Sequence, residues 1–273
     1  MANKQMIFIG GLHRSGTTLL HDIIGSHPKI SAFLNTGVSK DEGQHLQTVY
    51  PRASEFGGPG RFGFDPRSFM DEGHPLATDA NAERLLGEWS RHWDLTRDFL
   101  LEKSPPNLVR TRFLQRLFPG CRFIIALRHP IAVAYATQKW SRTDIPSLVE
   151  HWLRCHERFK VDRPELAHVF VLRYEEFVVE PQRFVDVLCR WIGIETTPIQ
   201  RSISTEINEK YFARWRADKK ARSALLTGKS SNELGTNTIL EKRFQEFGYS
   251  LDPLDSLPSV PWLGASPSSM HQR

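Results

Sequence analysis

Apolar residues along this chain fall into short runs separated by longer stretches of helical spacing. Met6–Gly10 is an apolar run closed by glycine; Phe99–Glu102, Arg122–Leu127 and His168–Leu172 are similarly short and mostly apolar. Such runs, each followed by a helical pattern, predict buried strands. Arg110–Phe118, Ile131–Trp140, Pro146–Phe159 and Pro181–Ile192 carry their apolar residues at helical spacing. Thr78–Trp93 does the same, with Leu85, Leu86, Trp89 and Trp93 on related turns. Pro181 stands just inside its helix, where a missing N–H breaks no hydrogen bond. Strands alternating with helices predict an α/β fold: a P-loop-type parallel sheet flanked by helices on both faces, in a single domain spanning residues 1–250.

Two stretches break the pattern. Tyr50–Pro75 is rich in Gly, Pro, Arg and Phe, as in Gly57-Gly-Pro-Gly-Arg-Phe-Gly-Phe64. It reads as a long loop or partly ordered lid, too irregular for a core element. Leu251–Arg273 is Pro/Ser-rich and reads as a loosely packed tail. Two tryptophans at helical spacing, Trp89 and Trp93, are more often core than a sugar platform. No internal repeat is evident.

Composition narrows the class. Of 273 residues, 40% are hydrophobic and 25% charged, which permits a sizeable core. No apolar run approaches the roughly 20 residues of a membrane span. The first five residues lead straight into a strand and leave no room for a signal peptide, so a cytoplasmic protein is expected. The formal charge of +5 suits an anionic ligand, but the basic residues are scattered and form no nucleic-acid-binding stripe. Three cysteines without a CxxC pair argue against a disulfide framework or zinc site, and the eleven histidines show no metal spacing.

Three segments carry candidate chemistry. The first is Gly11-Leu-His-Arg-Ser-Gly-Thr-Thr18, between a strand and a helix. First-turn N–H groups lack intrahelical partners and the helix dipole favours negative charge, so this turn is either an anion site or an ordinary βα connection. Its glycines have P-loop spacing, yet Thr17 stands where a nucleotide triphosphatase needs lysine. The second is Glu102-Lys103-Ser-Pro-Pro-Asn107 at a strand end, where ligands bind in open α/β sheets. Lys103 there is either a catalytic cation or a surface lysine. The third is Arg122–Pro130, an apolar strand delivering Arg128 at its C-terminal end. An arginine fork in that place suits a phosphate.

Together these segments resemble the sulfotransferases that use 3′-phosphoadenosine 5′-phosphosulfate. Arg14-Ser-Gly-Thr-Thr18 is similar to their 5′-phosphosulfate loop, in the version shared by bacterial and tyrosylprotein enzymes, and Phe123–Pro130 to their 3′-phosphate motif. Val171–Phe177 and Phe244–Tyr249 fall in the family's order. The resemblance implies that His13, Arg14, Ser15, Gly16, Thr17 and Thr18 hold the phosphosulfate and Arg128 the 3′-phosphate. It places Tyr174 near the adenine and Lys103 near the bridging oxygen. The family's serine eight residues after the strand-end arginine is Ala136 here, with Thr137 next. A one-residue shift turns a helical side chain by about 100°, so Thr137 is a displaced substitute.

Sulfuryl transfer resembles phosphoryl transfer in depending on positioning and charge stabilisation. The resemblance implies a metal-independent reaction. The acceptor hydroxyl or amine must lose a proton, which calls for a base within hydrogen-bond reach. Glu42 is the first choice and His45 the second, both in Lys40–His45. The acceptor is open among small molecule, carbohydrate, lipid and peptide. A non-catalytic protein of the same fold and a P-loop kinase of a small metabolite are the competing readings.

Overall fold

The computed structural model describes residues 4–205, 208–226 and 233–263. Five strands, β1 (Gln5–Gly11), β2 (Ile30–Ala32), β3 (Phe99–Lys103), β4 (Arg122–Leu127) and β5 (Val169–Arg173), form one sheet in the order β2-β3-β1-β4-β5. Every pairing is parallel, and the register sets Ile9 beside Lys103, Gly11 beside Ala126 and Leu127 beside Arg173. The C-terminal ends of β1, β3, β4 and β5 therefore share one edge. β1 lies between β3 and β4, the place where strand order reverses and a crevice opens.

Alternation along the strands builds two cores. Ile7, Ile9, Leu101, Ile124 and Ala126 point to one face. They pack there with Leu20, Ile23 and Ile24 of helix α1 (Thr17–Gly25) and with Phe184, Val185 and Leu188 of a later helix, Pro181–Ile192. Phe8, Leu100, Phe123 and Ile125 point to the other face. Helices on that side include α2 (Asp79–Trp89), α3 (Thr111–Leu117), α4 (Pro130–Ser141) and α5 (Ile145–Asp162). Trp89 is fully buried and Trp93 nearly so, which places both in the core. Their indole N–H groups donate to Gly43 O at 3.0 Å and Leu101 O at 3.1 Å.

The segment read as an irregular lid is ordered and part of the core. Short 3-10 turns at Ala53–Phe56, Phe62–Phe64 and Pro66–Ser68 fold it onto the body. Phe62 and Met70 are fully buried. Glycine and proline set tight turns here, and the aromatic residues between them point inward. The described part of the proline-rich tail is also docked. Leu251 and Leu254 are buried, and the Trp262 indole donates to Glu246 O at 2.7 Å. Residues 264–273 lie outside the described residues. Among the described residues, no helix is long and apolar enough to cross a membrane.

Phe62 distinguishes a structural segment from a loose cover. Phe62→Ala should cost about 3–5 kcal/mol in urea denaturation, the range for a buried aromatic. A loss near zero would mean that the segment packs weakly.

Candidate functional site

The turn after β1 forms an anion cradle. Arg14 has φ +71° and Gly16 φ +94°, both left-handed, so the backbone folds back before α1 begins. Gly16 allows a second close approach: a Cβ there would lie 2.5 Å from the Tyr174 ring. Only glycine meets both demands. Ser15 is fully buried with no partner for its hydroxyl, Thr17 is buried and Thr18 exposed.

A cavity of ≈ 240 Å³ opens on this turn. Its walls include His13, Arg14, Gly16, Thr17 and Thr18 from the turn, Lys40 and Glu42 from a second loop, and Arg128, Trp140 and Tyr174. The geometry thus brings the two arginines and Glu42 to one opening. Thr137 is not brought there. Its buried hydroxyl lacks a partner, and its methyl lies 3.3 Å from where a Cβ on Gly60 would stand. Ala136 is also buried, so this turn of α4 faces protein.

Arg128 is 5% exposed, and burial lowers its pKa from the ordinary value. Its Nη1 donates to Arg14 O at 2.8 Å, and Nε and Nη2 donate to Asn208 Oδ1 at 2.9 and 2.7 Å. Tyr174 and Tyr211 present ring faces at 4.4 and 5.7 Å from its Cζ. Among the described residues no carboxylate pairs with it directly; Glu175 accepts from Asn208 Nδ2 at 2.6 Å. An arginine held by neutral acceptors and ring faces keeps its charge available to an anion. Arg14 is spread over Trp140 at 4.5 Å.

Lys103 is fully buried at the end of β3. Its ammonium donates to Lys40 O at 2.8 Å and to Glu42 Oε1 at 3.3 Å. The loop carrying Lys40 is strained into place: Lys40 and Asp41 have φ +55° and +49°. Asp41 steadies that turn by accepting from Thr36 N at 2.8 Å and Thr36 Oγ1 at 2.6 Å. Gln44 orients Glu42, donating to Oε2 at 2.6 Å while its own Oε1 accepts from Ala53 N at 2.9 Å. His45 Nε2 lies 3.7 Å from the same oxygen, and burial lowers its pKa against the opposing pull of Glu42.

Sequence reasoning passed over Glu102, Trp140, Asn208 and Tyr211. Glu102 is fully buried, and burial pushes its pKa up to about 7. It accepts from Ser104 Oγ and Asn107 Nδ2, both at 2.5 Å. Ser104 Oγ in turn accepts from Gln44 N at 2.9 Å. Glu102 is thus the post beneath the Glu42 loop, and Gly43 lies so close that a Cβ would fall 2.4 Å from Glu102 Cγ. The available signal was a carboxylate directly after three apolar residues in a buried strand. Asn208 and Tyr211 lie 80 or more residues from Arg128 in sequence, and no motif marks them.

A family model described as Sulfotransferase family matches residues 6–198. Among curated proteins, protein-tyrosine sulfotransferase 1 of Danio rerio is 26% identical over 202 residues, covering 70% of this chain and 54% of that protein. The Rattus norvegicus protein of the same name is 30% identical over 126 residues, 46% of this chain and 32% of its own length. The chain spans about half the length of the first two curated relatives it matches. Among solved structures, the sulfotransferase domain from the Synechococcus PCC 7002 olefin synthase aligns with a TM-score of 0.52 and 19% identity, over 91% of this chain and 96% of that one. The sulfotransferase domain from the curacin biosynthetic pathway gives 0.50 and 15%, over 91% and 99%. These two likenesses are of fold.

Glu102 makes a pH-dependent prediction. Its folded pKa of about 7 lies above the ordinary 4.5, so its contribution to stability is full below about 4.5 and is lost as pH rises through 7. Relative to Glu102→Gln, the wild type should lose at most roughly 1.4 kcal/mol per pH unit across that window. Urea denaturation at several pH values measures it; a difference independent of pH contradicts the buried titration.

Proposed function

The chain belongs to the sulfotransferase family, and we propose on that premise that it transfers a sulfuryl group from 3′-phosphoadenosine 5′-phosphosulfate to an acceptor hydroxyl. One observation carries the reading. A single cavity joins a helix N-terminal turn, an arginine without a carboxylate partner among the described residues, and Glu42 in contact with Lys103. A donor bearing phosphates at two ends accounts for both Arg14 and Arg128.

In this reading the phosphosulfate rests on the turn, where first-turn N–H groups and Arg14 meet its charge. Arg128 takes the 3′-phosphate, and Tyr174 lies beneath that guanidinium. The acceptor oxygen bonds to sulfur as the bond from sulfur to the donor's bridging oxygen breaks. The electron pair stays on that oxygen, where Arg14 on the cavity wall and Lys103, held behind it by Lys40 O and Glu42, supply the neutralising charge. The acceptor's proton passes to Glu42, whose carboxylate is held by Gln44 and Lys103. Groups fixed before reaction stabilise developing charge without reorganising, which is the main source of catalysis in such transfers. The names of the curated relatives support the phenolic hydroxyl of a peptide tyrosine as the first acceptor to try.

The test is calorimetry with 3′-phosphoadenosine 5′-phosphate and with ATP, followed by transfer of labelled sulfate to acceptors. Binding of the former, with turnover, is the expected result. Binding of ATP alone, or nucleotide binding without transfer to any acceptor, overturns the proposal. Arg128→Ala should weaken nucleotide binding by about tenfold or more, as expected for loss of a charged hydrogen-bonded contact. Glu42→Gln should lower kcat by about 10²–10⁴ with nucleotide affinity little changed, since general-base catalysis contributes in that range.

A further inference from the structure

His13 has a place in the cavity that anion binding alone does not explain. It stands in the turn between Leu12, whose carbonyl accepts from Ser15 N at 3.0 Å, and the left-handed Arg14. One side of its ring is closed off. Phe62 meets it edge-on at 6.1 Å, and behind Phe62 lies His151 at 4.8 Å. His13 Nδ1 is buried, with no hydrogen-bond partner among the described residues. The other side forms part of the cavity wall, with Glu42, Lys40 and Arg14.

We propose that His13 is neutral when the cavity holds no donor and takes up a proton as the phosphosulfate enters, placing an imidazolium beside the sulfuryl group as a second cation with Lys103. The inference rests on the sulfuryl-donor reading and adds a catalytic residue to it.

The charges around the ring give the direction. Burial lowers its pKa to about 4; Glu42 opposes this, while Lys103 and His45 add to it. Arg14 and Lys40 bring further positive charge to the same wall. His151, behind Phe62, is itself held down to about 3 by burial and by His13. Glu42 is therefore the negative neighbour on the cavity side, and its Oε1 already faces Lys103. A phosphosulfate on the turn brings anionic oxygens to that side. An opposite charge nearby favours the protonated imidazole, so the bound pKa lies above the free one. Linkage then fixes the sign. Between about 4 and the bound pKa, donor binding takes up a proton, and affinity rises as pH falls through the bound value. When the nucleotide product leaves, the proton leaves with its stabilising charge. No further reactant is needed, because water supplies and receives it.

Two measurements test this. In protein labelled with ¹⁵N-histidine, the His13 imidazole is titrated with and without saturating 3′-phosphoadenosine 5′-phosphate. His13→Asn or His13→Gln identifies the signal, and sequential assignment does so if neither variant folds. The expected result is a pKa rise of about two units or more, equivalent to at least a hundredfold gain in proton affinity. In parallel, calorimetry in buffers of different ionisation heat counts protons taken up near pH 6. The wild type should exceed His13→Asn, since titration of the nucleotide's own phosphates enters both proteins alike. Nucleotide binding with an unmoved His13 signal overturns this inference and leaves the donor reading standing. Failure of the nucleotide to bind overturns both.

Discussion

The site depends on one buried pair. Lys103 brings a full positive charge to a position without solvent exposure, and Glu42, from a turn 61 residues earlier, comes to meet it. Burying an ammonium is expensive unless a counter-charge and hydrogen bonds compensate it, so the loop around residue 42 must stay in place to meet it. Ser104 holds Gln44 N, Gln44 bridges Ala53 and Glu42, and the Lys40 carbonyl completes the lysine's contacts. Two consecutive left-handed residues, Lys40 and Asp41, are tolerated because these bonds fix the turn. The strain sits beside the proposed reacting atoms, where a loop is most often forced into one shape.

The other half of the cavity is organised by topology. With β1 central and all strands parallel, the turn after β1, Lys103 and Arg128 arrive at one edge from three neighbouring strands. Arg128 then links two of them through its bond to the Arg14 carbonyl. The residue proposed for one end of the donor therefore also shapes the loop proposed for the other.

Much of this was legible in the sequence, and the exceptions have physical causes. β4 and the helix Pro181–Ile192 fall where apolar runs and a first-turn proline put them. That Arg14–Thr18, Lys103 and Arg128 stand at or just after strand ends was readable because each follows its own apolar run directly. β2 was missed: three residues are too few for periodicity to register. Tyr50–Pro75 looked irregular because 3-10 turns leave no helical or strand period, though Phe62 and Met70 are fully buried. Asn208 and Tyr211 reach Arg128 only through tertiary folding. Thr137 lay on the expected helix, but its side chain faces Gly60 and not the cavity. Residue spacing gives rotation about a helix axis; it does not say which neighbour that helix has turned toward.

Trp89 connects the chemistry to the outer layer of the fold. Its indole bonds the carbonyl of Gly43, the residue that follows Glu42. Helix α2 is therefore a mechanical support for the loop, although none of its residues lines the cavity. Peripheral helices open locally at lower free energy than a central parallel sheet. Loosening α2 would release the grip on Gly43 while leaving the sheet's own hydrogen bonds in place, so a buried tryptophan ties the shape of the Glu42 loop to the outer layer of the fold.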